Sequence, residues 1–207
     1  MDFPLCFDSI LDRKMVFCHG EKISVKTGKK GVGMIEIIYK DEPQKKTGEP
    51  AIKVPKNIRQ IGTDGDNCKI YIEDYAMTYL KRNNTKERMS AYGILTGKQT
   101  TSNGVTYTFI SGLICGGEQE SLPVFTDAVW KKLQKEKQTY FPDSEIVGWY
   151  IDLPYNSNST QLDLLRLHVE QFGKGDKLCY IKDRQEGENG FYKCENGILK
   201  KQSGYAV

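Results

Sequence analysis

From residue 67 onward the apolar positions switch repeatedly between a helical and a strand period, and each switch marks an element. At about 100° per residue, Ile72, Tyr75, Ala76, Tyr79 and Leu80 fall on one stripe, which predicts an amphipathic helix over 71–82. Two strand-like runs follow, Ala91–Gly97 and Val105–Cys115, joined by a polar loop that holds the hairpin signal Asn103-Gly104. Thr126 is a suitable N-cap for a lysine-rich helix over 127–138, and Pro142 closes that stretch. Glu145 to Ile151 is a near-continuous apolar run, the pattern of a strand covered on both faces. A helix over 159–172 comes next, capped by Ser159 or Thr160 and stopped at Gly173. Strand Leu178–Lys182 and a hairpin across Asn196-Gly197 complete the order α-β-β-α-β-α-β-β-β, which predicts a layered α/β domain over 67–207.

Residues 1–66 read differently. Lys14–Cys18 and Lys22–Val25 around His19-Gly20 predict a small hairpin, and Met34–Tyr39 a further strand. Asp41–Asn57, with three prolines and four lysines, has the character of an extended linker, and Gly62–Asn67 is a loop cluster. The expected organisation is a β-rich N-terminal extension with linker over 1–66, followed by the main domain.

The helix over 159–172 has a second peculiarity. Leu162, Leu165, Val169 and Phe172 form one stripe, while Leu164 and Leu167 lie on the opposite side. A helix apolar on two sides is either covered twice within its own chain or docked on a partner. Leu164 and Leu167 are therefore the candidate partner surface, for a protein partner or a second copy.

Composition narrows the function classes. Apolar residues make up 38% of 207, with 20 glycines in addition, which is a globular and not a disordered composition. A net charge of +3 without clustered basic residues speaks against a dedicated nucleic-acid binder. His19 and His168 are the two histidines of the chain, so any site needing three imidazoles is excluded. The acidic start, with Asp2, Asp8 and Asp12, does not read as a secretory leader, and no run approaches the ~20 apolar residues of a membrane span. Six scattered cysteines without a Cys-x-x-Cys pair suit free thiols, hence a cytoplasmic location.

Two loop motifs fail on inspection. The cluster Gly28–Gly33 lacks the Gly-Lys-Ser/Thr ending of a phosphate loop, and Asp64-Gly65-Asp66-Asn67 has Tyr75 where a calcium loop needs its twelfth-position glutamate. The lysines of the 127–138 helix read as a solvated face.

The informative stretch is Tyr140 to Pro154, YFPDSEIVGWYIDLP. It resembles the signature of the MPN (JAB1/Mov34-type) domain, in which VGWYHSHP closes a central strand at a metal site. Ala91–Gly97 is similar to the family's GLLLG strand, and Thr160–Asp163 to the polar start of the helix after the site. The likeness runs in order from residue 67 to about 182. It implies an MPN-like, cytidine-deaminase-like layered sandwich around a mixed central sheet.

Active members of that family are zinc isopeptidases with a His-x-His pair, a downstream Asp and an open fourth position for water. Position by position, the pair becomes Ile151 and Leu153, and the general-base glutamate becomes Ser90. With one residue deleted, the aspartate ligand matches Asp163 and the oxyanion-stabilising serine matches Thr160; without the gap those positions are Gln161 and Leu164. Aliphatic side chains offer a metal no lone pair. The resemblance therefore implies a chain without catalytic residues, metal or other cofactor, serving as a binding or assembly module. The alternative is a hydrolase that acts on a protein or peptide without the usual zinc ligands, built from Glu145, Asp152 and Asp163 if the fold brings them together.

Overall fold

The structure, a computed structural model, describes residues 52–56, 58–63, 67–82, 88–120 and 122–207. The expected hairpin and strand of residues 14–39, the glycine cluster 28–33 and most of the linker lie outside those residues. The chain divides between Val54 and Pro55 into two compact units, and every element below belongs to the second.

The strands are β1 (Gln60–Gly62), β2 (Cys68–Ile72), β3 (Ser90–Ser102), β4 (Val105–Gln119), β5 (Glu145–Leu153), β6 (Leu178–Asp183), β7 (Glu188–Glu195), β8 (Ile198–Lys201) and β9 (Gly204–Ala206). The helices are α1 (Asp74–Lys81), α2 (Asp127–Tyr140) and α3 (Gln161–Phe172). Among the described residues these nine strands form one mixed sheet in the order β1-β9-β2-β4-β3-β5-β6-β7-β8, an α+β arrangement. No helix among the described residues is long and apolar enough to cross a membrane.

Alternating side chains send each central strand into two cores, one on each face of the sheet. Leu95, Tyr150 and Tyr180 join Ala76, Met77 and Leu80 of α1 on one face. Ile94, Trp149, Ile151, Leu153, Cys179 and Ile181 join Leu133 of α2 and Leu164 and Leu167 of α3 on the other. Strand β5 lies between β3, to which it is antiparallel, and β6, to which it is parallel. Gly148 belongs to this crowding: a Cβ there would sit 2.2 Å from the Leu178 carbonyl oxygen. Both Asn-Gly pairs form the tight turns expected of them, with φ of 51° and 76° at Asn103-Gly104 and 52° and 79° at Asn196-Gly197.

Three expectations need correction. The helix expected over 71–82 begins only at Asp74, because Cys68, Ile70 and Ile72 alternate inward and pair in parallel with Thr106–Ile110. Ile72 is a strand residue, and Tyr75 is 43% exposed. Gln60–Gly62, which the expected division at residue 66 leaves outside the main domain, forms β1 and pairs with β9. The faces of α3 are reversed: Leu164 and Leu167 are buried, while Leu162 is 62% exposed and Leu165 and Val169 are half-buried.

Candidate functional site

Of the positions singled out by sequence, Ser90, Ile151, Leu153, Leu164 and Leu167 meet near the C-terminal end of β5. Ile151 and Leu153 are 0% and 2% exposed and point toward α2 and α3. Tyr92 pairs with Ile151 and Ala91 with Asp152, so Ser90, buried at the start of β3, stands at the same sheet end. By strand alternation Ser90 shares the face of Tyr92, Ile151 and Leu153. Leu164 and Leu167 pack into the same core. They are an internal cover and not a partner surface, because the apolar end of β5 needs an apolar lid and α3 supplies it.

Thr160 and Asp163 serve the start of α3. The Asp163 carboxylate accepts from the Thr160 backbone N–H at 3.0 Å and from its hydroxyl at 2.7 Å, and the Asp163 N–H donates to Thr160 Oγ1 at 3.2 Å. This reciprocal box satisfies amide donors that the first turn cannot pair for itself. The Thr160 hydroxyl, and next its amide, hold the Asp163 carboxyl below the usual carboxylate range. The residue aligned with a metal ligand thus has a complete structural assignment.

Asp152 points to the opposite face of β5 from Ile151 and Leu153. Its Oδ1 accepts from Arg184 Nε at 2.7 Å and its Oδ2 from Lys182 Nζ at 3.3 Å, all three side chains being at most 12% exposed. Arg184 Nη2 also donates to the Met89 carbonyl at 2.8 Å, and Lys182 Nζ to the Arg82 carbonyl at 2.9 Å. Sequence reasoning noticed the carboxylate and missed its partners. The signal was there in Lys182 and Arg184, which interrupt or follow the apolar run that pairs with β5.

The three carboxylates do not converge. Glu145 begins β5, seven residues from Asp152 and therefore about 23 Å along the strand; Asp163 is in its capping box. No group of three or more His, Cys, Asp or Glu side chains suited to a metal exists among the described residues. The residues aligned with a zinc site do not fit zinc: two are buried aliphatics, one a buried serine, one a helix cap. A groove of about 440 Å³ lies elsewhere, lined in part by Arg59, Tyr71, Glu73, Phe109 and Val207.

His168 is fully buried. Its Nδ1 accepts from Trp149 Nε1–H at 3.0 Å, and burial lowers its pKa below the ordinary histidine value.

The fold and this sheet end define an α+β protein with a mixed sheet whose central strand ends in a sealed apolar core. No protein-family model matches the chain. No curated protein matches it either. Among solved structures, protein DSY2949 of Desulfitobacterium hafniense, determined in solution, is similar, with a TM-score of 0.45 and 13% identity over 65% of this chain and 90% of that one. A likeness of that size carries no argument about function.

Proposed function

We propose that this chain is an MPN-like binding or assembly module that does not act as a zinc isopeptidase. The observation that carries the reading is the burial of Ile151 and Leu153 beneath Leu164 and Leu167, where the family signature would have metal ligands. Two further features support it. The sequence of helix, hairpin, helix, strand and helix from α1 to α3 agrees with the order of the MPN motif. Asp163 is committed to its cap and Asp152 to two cations, so neither carboxylate is free for general acid–base work. The module works through a protein partner or a second copy of itself. Free thiols at Cys68, Cys179 and Cys194 suit a reducing, cytoplasmic setting.

The test is elemental analysis of purified protein, with thermal melts before and after a chelator. Zinc well below one equivalent and an unchanged Tm are expected, because no ligand that stabilises the native state is being withdrawn. Stoichiometric zinc, or a chelator-induced fall of several degrees, would refute the reading.

A further inference from the structure

Among the buried polar groups, His168 has a geometry that packing alone does not require. With Nδ1 accepting from Trp149, the neutral ring carries its proton on Nε2, and that nitrogen has no hydrogen-bond partner among the described residues. The rings of Trp149 and Phe172 flank it at centroid distances of 6.4 and 6.3 Å. The titratable groups that β3, β6 and β7 add to this core are Tyr92, Cys179, Tyr192 and Cys194, and burial raises the pKa of the first three, favouring their uncharged forms. On β5, Asp152 lies on the other face. On α3, Arg166 and Glu170 are exposed, as are Lys131, Lys132 and Lys135 on α2. Glu136 on α2 and Asp163 on α3 are only half-buried, and among the described residues no buried carboxylate belongs to this core.

We propose that the His168–Trp149 pair is an acid-labile latch that fastens α3 to β5. A proton taken from solvent by Nδ1 turns the acceptor into a second donor. The bond from Trp149 is then lost, and an unpaired cation is left in an apolar core. The release is local: α3 lifts and uncovers Ile151 and Leu153 while the rest of the sheet stays paired. The sign follows from the direction of the shift. A histidine whose folded pKa is depressed stabilises the fold fully above its unfolded value near 6.5, and that contribution declines as pH falls below it. One proton taken up on opening raises the opening constant by up to tenfold per pH unit.

The experiment is amide hydrogen exchange, corrected for the intrinsic pH dependence, on His19→Gln protein, in which His168 is the remaining histidine. Between pH 6.5 and 5.5, the protection of α3 is expected to fall about fivefold relative to that of β3 and β4. In the His19→Gln/His168→Gln protein the α3-to-sheet ratio is expected to stay within twofold. An equal loss of protection across the whole sheet, or an unchanged α3 ratio in His19→Gln, would overturn the latch. Should the double variant not fold, imidazole nitrogen NMR on His19→Gln decides the matter. A neutral Nε2–H tautomer persisting in the folded state below pH 6 supports the latch, and an ordinary titration near 6.5 without loss of α3 protection overturns it.

Discussion

Replacing Asp152 by asparagine keeps the shape of the side chain and removes its charge, which makes it a clean probe of the Asp152–Lys182–Arg184 cluster. Arg184 and Lys182 would be left with side chains 6% and 12% exposed and without their carboxylate. Removing one partner of a buried ion pair costs about 3–5 kcal/mol. Here the lower end applies, because Arg184 keeps the Met89 carbonyl and Lys182 the Arg82 carbonyl. For a unit of this size each kcal/mol moves Tm by roughly 2–4 °C, so a loss of about 3 kcal/mol lowers Tm by roughly 6–12 °C. The companion variant, Asp152→Leu with Lys182→Met and Arg184→Met, removes all three charges together. Buried ion clusters replaced by apolar side chains are often neutral, so the triple variant is expected to melt well above the single one. Calorimetric melts of wild type, single and triple variants decide it. A single variant within 2 °C of wild type, or a triple variant at least as unstable as the single, would mean that these charges are better solvated than their burial implies.

Leu164→Asp with Leu167→Asp is expected to unfold the domain, since two carboxylates would enter a closed apolar core; Leu162→Asp, on the exposed side of α3, is expected to change stability by less than about 0.5 kcal/mol. Melts and light scattering on both would separate an internal lid from a docking face. The Asp163 box carries a pH signature: its depressed carboxyl contributes above the ordinary carboxylate pKa, and the contribution is lost as pH falls through the folded value. Thr160→Val, which removes the hydroxyl from the box, is expected to flatten that part of an acid titration followed by circular dichroism; an unchanged titration would show that the box does not couple to folding.

The sequence was most legible where local chemistry decides the backbone. The two Asn-Gly turns, the Thr126 and Thr160 caps and the apolar run of β5 stand where pattern and propensity place them. It was ambiguous where two patterns share residues. Ile72 fits both a helical stripe and the inward alternation of Cys68 and Ile70, and pairing with β4 decides for the strand. On α3, two stripes are comparably apolar, and nothing within the helix selects one. The choice is made by β5: Trp149 offers its indole N–H to His168, and Ile151 and Leu153 need cover, which turns Leu164 and Leu167 inward. The ion cluster was out of reach for another reason. It joins residues 82, 89, 152, 182 and 184, which no local pattern connects.

The strand β9 has an implication for the order of events during synthesis. Among the described residues it is the last strand, yet it lies between the first two, pairing antiparallel with β1 and in parallel with β2. Gln60 therefore leaves the ribosome long before its partner, Ala206, exists. Until translation reaches that point, β1 has no neighbour and β2 presents one side unpaired. Closing this border spans nearly the whole unit, the kind of distant pairing that slows folding. The nascent unit thus carries one unpaired strand and one open strand edge until β9 is made, the interval in which such edges recruit the wrong partners.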